Sequence, residues 1–258
     1  MPFDEFGFLG SQIKDISKQI YESNRDIFDL CHDLNNFAQK VKFEFSIDSN
    51  NGQQVIASTL FIKVLHGFQS TILLFKHGLA SEGKVIARSI METMFTLKAI
   101  CDNEDAVREY IQSDNAKREK LLNVILNEPD QDIFSTVKKE ITPEFIDSIK
   151  VRNRDQKVRD ISAQEWAEKA GLKSHYQTAY RILSDEVHTT PRALQQYLKE
   201  DDNGLLKLEC APSTDDFSPT LITALITLLI SLDSLCTIFS INHGDELNQF
   251  EARIHVKA

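Results

Sequence analysis

The sequence predicts an all-α protein, a helical bundle with a long amphipathic helix at its N-terminus and a long apolar core helix near its C-terminus. Three observations predict it. Apolar residues recur at three- and four-residue steps along most of the chain, the runs end at glycines, prolines or polar clusters, and only NGLLKLECAPS reads as extended.

In the first run, Ile13, Ile16, Ile20, Ile27, Leu30, Leu34, Phe37 and Val41 keep this spacing and miss it only at Ser23. This predicts one amphipathic helix with a heptad-like seam, which packs on its own chain or pairs two protomers. The polar stretch SIDSNNGQQ ends it. An apolar helix follows from Val55 to Leu79, with Gly78 at its C-terminal position, and a short turn leads to a second helix over Glu82–Cys101. So short a connection makes the two an antiparallel hairpin. Further helices are expected over about 104–127 and 130–151, the latter interrupted near Pro143. Ser162 and Glu165 form a capping-box pattern before AQEWAEKAG, which Gly171 closes. Ser174–His188 makes the next helix, with Pro191 placing His188 in or near its last turn, and PRALQQYLKE makes another. The run SPTLITALITLLISLDSLCTIFSIN is the long apolar helix. Thr220, Thr223, Thr227, Ser231 and Ser234 form a small-residue stripe on it, beside Asp233, suited to close packing against another helix or a dimer partner. Its uninterrupted apolar length falls short of the roughly 20 residues that a membrane span needs. Residues 1–50 are assigned to an N-terminal helical arm and 55–258 to the bundle, one structural domain overall.

With 41% hydrophobic residues the chain has enough apolar side chains for a sizeable core, and its net charge of −10 argues against a general nucleic-acid binder. A local basic run opposes that total: Lys150, Arg152, Arg154, Lys157 and Arg159 fall within ten residues with only Asp155 against them, either a solvated face or a set of RNA phosphate contacts. Cys31, Cys101, Cys210 and Cys236 lie far apart without metal-ligand spacing and read as reduced core thiols. The opening MPFDEFGFLG has acidic residues where a signal peptide has basic ones, so a cytoplasmic location is expected. No metal or cofactor is expected.

Two places set charge into apolar helices. Arg88 and Glu92, in ARSIMET, lie four apart on one face, an ion pair or part of a site. In YRILSDEVH, Arg181 and His188 are seven apart, nearly two turns, with Ser184 and Asp185 between them on that face.

A hairpin whose second helix carries ARSxxE, a basic run, a WAEKAG-like helix and then YRxLSDxVH before a proline resembles a bacterial helical domain family of unknown function, similar to the HEPN superfamily. The resemblance covers about Val55–Leu198. It implies a helical bundle, commonly dimeric with a composite site, and a metal-independent ribonuclease defined by an Arg and a His four to six residues apart in the intervening count. Arg181 and His188 match at the longest spacing. Ile182 departs from the Asn, Asp or His that active members often carry after the Arg.

Such cleavage uses the RNA 2'-hydroxyl as nucleophile and leaves a cyclic phosphate and a 5'-hydroxyl. His188 is the expected proton-transfer group, since histidine titrates near neutrality. Arg181 would hold the scissile phosphate and its developing charge. Asp185 would add a polar group, Glu92 would orient Arg181 or His188, and Arg88 would make a second phosphate contact. One histidine does not readily serve both ends of the displacement, whereas a homodimer supplies two. The expectation is therefore an endoribonuclease of antiphage or toxin type acting on tRNA or mRNA, restrained by an inhibitor or sensor protein. The alternatives are a non-catalytic module binding nucleotide, RNA or protein, and a helical scaffold.

Overall fold

The fold was read from a computed structural model, which describes residues 6–128, 135, 141–155, 158–188 and 190–257. It is all-α apart from one small hairpin, as the periodicity predicts. Its centre is the pair α3 (Gly52–Lys76) and α4 (Ala80–Asp102), covered by α11 (Phe217–Ile238). Asn51 caps α3 by accepting a hydrogen bond from the Gln54 N–H, 3.0 Å. Gly78 ends it at φ +74°: its N–H donates to the Phe75 carbonyl and that of Leu79 to the Leu74 carbonyl, the two bonds that reverse the chain into α4.

Glycines set how closely these helices approach. A Cβ on Gly67 would lie 2.1 Å from Ile90 Cγ2, and one on Gly83 would lie 2.7 Å from the Phe75 ring. Phe28, Phe61, Phe68, Phe75 and Phe95 are fully buried around this contact, each contributing on the order of 2 kcal/mol of apolar transfer. On α11, Thr220, Thr227, Ser231 and Ser234 are buried in the chain's own core, their hydroxyls donating to carbonyls four residues back at 2.8–2.9 Å. That stripe therefore packs within the protomer. Both α3 and α11 are long and apolar enough to cross a membrane by length and composition, and in this fold half or more of each apolar window is buried.

The N-terminal seam is two helices, α1 (Ile13–Ser23) and α2 (Arg25–Val41), whose Ile20, Ile27, Leu30, Leu34 and Val41 join the same core. The break falls at Asn24, beside the one position where the seam lacks an apolar residue. The Asn24 side chain donates to the Ile20 carbonyl at 2.9 Å, and its backbone leaves helical geometry. On the other side of the hairpin, α5 (Asp105–Asn127) carries α6 (Pro143–Asp155). The earlier part of the helix expected over 130–151 lies outside the described residues, Ser135 aside. Helix α7 (Ala163–Lys169) has the expected capping box, with Ser162 Oγ accepting from the Glu165 N–H and Glu165 Oε2 accepting from the Ser162 N–H.

Next comes one helical path in three parts: α8 (Lys173–His175), a π-helical segment (Tyr176–Tyr180) and α9 (Arg181–Val187). PRALQQYLKE does not form the expected helix. It makes only α10 (Pro191–Leu194) and a 3₁₀ turn before entering β1 (Leu198–Glu200), which pairs antiparallel with β2 (Leu206–Leu208). Turn chemistry overrides helix propensity here. Asp201 Oδ1 accepts from the N–H groups of Asn203 and Leu205, and Gly204 takes φ +76°. A final helix not anticipated from the pattern, α12 (Gly244–His255), seats Leu247 and Ile254 in the core and packs on α11 and α2. All four cysteines are free, but Cys210 is exposed rather than in the core.

Candidate functional site

The path through α9 lies along α4, and its residues divide by face. Tyr180 and Leu183 are buried toward α4 and Ser184 is half-buried there; Glu186 reaches back from one flank. Arg181, Asp185 and His188 are exposed on the other. On α4 the opposing stripe is Ser81, Lys84, Arg88 and Glu92, at helical steps of three and four.

Two polar clusters join the helices. Arg88 donates from Nε to Ser184 Oγ at 3.1 Å, from Nη2 to the Tyr180 hydroxyl at 2.6 Å and from Nη1 to Glu92 Oε2 at 3.3 Å. The Tyr180 hydroxyl in turn donates to Glu92 Oε2, 3.2 Å. Burial, then the Glu92 charge, pushes the Tyr180 pKa up to about 12 against the opposing pull of Arg88, so the phenol stays protonated as a donor. The π segment stacks Tyr176 on Tyr180 with ring centroids 4.9 Å apart and sets both against Phe95.

In the second cluster Lys84 Nζ lies 3.2 Å from Glu186 Oε1 and 3.0 Å from Asp216 Oδ2, and the lysine side chain is only 8% exposed. Ser81 and Gln196 donate to the other Glu186 oxygen at 3.0 and 3.1 Å. Burial works against the Lys84 charge, but hydrogen bonds and attraction from Asp216 and Glu186 outweigh it and raise its pKa above the ordinary lysine value. Lys84 thus ties α4 to α9 and to the start of α11.

The residues expected to act together therefore separate. Arg88 and Glu92 form an ion pair with each other and hold the inner face of α9; neither is bonded to Arg181 or His188. Among the described residues no hydrogen bond or ion pair engages the side chains of Arg181, Asp185 or His188. His188 is where the chain leaves the helix, at φ −96° and ψ 123°, with its N–H still donating to the Ser184 carbonyl.

The basic run sits elsewhere, its described residues on α6 and at Arg159. Buried Asn153 anchors α6 to α5 by donating to Glu119 Oε2 at 2.7 Å. Arg152 and Arg154 are exposed and Lys150 is half-buried, whereas Arg159 is paired with Glu165; Lys157 lies outside the described residues. Arg152 lines an open groove of about 690 Å³ with Gln53, Asp105 and Arg108. Among the described residues no group of three or more His, Cys, Asp or Glu side chains is placed to hold a metal ion. Sequence reasoning missed Ser81, Lys84 and Glu186. The signal was present, since Lys84, Arg88 and Glu92 repeat at four-residue steps.

Fold and site together define an all-helical domain whose central hairpin clamps a short helix presenting an outward Arg and His. The chain belongs to the family of unknown function DUF5677, which matches residues 54–205, from α3 to the β-hairpin turn and more than half of the chain. No curated protein and no solved structure matches it.

Proposed function

We propose that the protein is a metal-independent endoribonuclease of HEPN type that cleaves tRNA or mRNA by 2'-hydroxyl attack, as an effector of antiphage or toxin systems. The observation that carries this is the division of α9. Its polar side chains Ser184 and Glu186 are bonded into the fold, while Arg181, Asp185 and His188 stand exposed and unbonded on one flank. A helix fixed this firmly, with a cation and an imidazole held outward, suits a pair of groups that meets a phosphodiester. Arg181 grips the phosphate and His188 transfers the proton. Arg88 and Glu92 act as positioning residues through Tyr180 and Ser184. A two-fold dimer supplies the second histidine, so that one imidazole takes the 2'-hydroxyl proton and the other protonates the departing 5'-oxygen.

A binding module without catalysis is the second reading, favoured by Ile182, which is 71% exposed on the outward side of α9 and offers an apolar contact rather than a polar one. Incubating the purified chain with total tRNA and with mRNA, with chelator present, separates the two. Cleavage should leave 2',3'-cyclic phosphate and 5'-hydroxyl ends, and His188→Ala and Arg181→Ala should each slow it by about 100-fold or more with unchanged thermal melting. RNA bound tightly by the wild type and never cut would overturn the nuclease and leave the module.

A further inference from the structure

On the face of α4 next to the α9 clamp, a cavity of about 250 Å³ opens between α3, α4, α5 and the start of α7. Lys63 lines it from α3 and Lys117 from α5, and Asp114, whose carboxylate is paired with Arg118 at 2.7 Å, lines it beside Lys117. Lys63 has no hydrogen bond or ion pair among the described residues, and Lys117 has only a loose pair with Asp160 at 3.7 Å. Glu92 lines the cavity from α4. Both of its bonds, to Arg88 and Tyr180, use Oε2, which leaves Oε1 to accept from a ligand N–H. The aromatic side is Tyr110, with Trp166 at its edge, centroids 6.3 Å apart. The Tyr110 hydroxyl has no partner among the described residues.

We propose that this cavity binds a nucleoside monophosphate. Lysines from two helices match a doubly charged phosphate. A fixed carboxylate oxygen matches the amino or imino edge of a base, and an aromatic wall matches its planar face. The volume lies below the roughly 300–1,000 Å³ of pockets that enclose drug-sized ligands, which suits a compact ligand whose phosphate stays at the rim. The cavity shares Glu92 with the clamp that holds α9, but neither Arg181 nor His188 lines it, so the nucleotide site is distinct from the proposed cleavage face.

Calorimetric titration of the full chain with AMP, GMP, CMP, UMP, adenosine, guanosine and inorganic phosphate tests the assignment. At least one monophosphate should bind, with its nucleoside and phosphate alone each weaker by about tenfold or more. The double variant Lys63→Glu/Lys117→Glu should lose that binding while Lys18→Glu, a remote charge change of the same kind, keeps it; melting curves establish that the variants are folded. Absence of heat with all four monophosphates at millimolar concentration would overturn the proposal, as would unchanged binding in the double variant. His188→Ala should bind as the wild type does. Loss of binding in that variant would put the nucleotide on α9 and overturn the cavity site, whereas failure of RNA cleavage alone would leave it standing.

Discussion

At the scale of single residues, Lys84 is the side chain on which the candidate site most depends. It is nearly buried, and its removal would leave Glu186 charged with only Ser81 and Gln196 as donors. Lys84→Met should therefore cost about 3 kcal/mol of stability in urea denaturation, and Lys84→Met/Glu186→Leu should recover most of it, because a buried ion pair costs more to break than to replace. The sequence made Arg88 and Glu92 conspicuous as charges among apolar neighbours. It did not make their partners visible: Tyr180 and Ser184 lie 88 to 96 residues further along the chain, and which way they face depends on the π segment, which no periodicity rule anticipates. Arg181 and His188 were legible as a spaced pair, and the solvent exposure that now distinguishes them was not.

At the scale of elements, local signals held where the cap chemistry is self-contained. The Ser162/Glu165 box and Gly78 act within a few residues, so the pattern alone located them. Glu165 also gives a pH test. The Ser162 backbone N–H, then Arg159, lowers its pKa to about 2 from the usual 4.5. A carboxylate depressed in the folded state contributes stability that is fully present above pH 4.5 and lost as the pH falls toward 2. Thermal unfolding should therefore show Glu165→Gln less stable than the wild type at pH 6, with the difference closing between pH 4.5 and 2. A constant difference would mean that Glu165 acts through packing alone. The β-hairpin was misread because Leu194, Tyr197 and Leu198 have near-helical spacing, while Asp201, Asn203 and Gly204 carry the stronger turn signal. The missed α12 had its own signal in Leu247, Phe250 and Ile254.

At the scale of the whole molecule, the α3–α4–α11 slab was legible from apolar length, and the assembly was not. Most of both seams that the sequence offered as interfaces, along the N-terminal helices and along the Thr/Ser stripe, is buried inside the protomer, with Ile13, Ile16, Phe37 and Thr223 only half-buried. The hairpin that follows α9 carries exposed apolar residues, with Leu206 70% and Leu208 82% exposed. If two protomers share one cleft and each supplies one of its two histidines, wild-type chains refolded with an excess of His188→Ala chains should lose RNA cleavage more steeply than their dilution, because a mixed dimer holds a single His188. Activity that falls only in proportion to the dilution would place both groups of each site on a single chain.

The π segment has a consequence for how this surface could have arisen. Each residue of a regular α-helix turns the chain by about 100°, so a single residue inserted into an α-helical Tyr176–Tyr180 path either rotates everything after it or is absorbed as a wide turn. Here the path takes the wide turn, with Tyr180 facing Arg88 and Arg181, Asp185 and His188 on the outward flank. One codon lost at this place would return the path to a regular α-helix with α9 in the same register, whereas one gained and not absorbed would turn α9 by about 100° and carry Arg181, Asp185 and His188 off the outward flank.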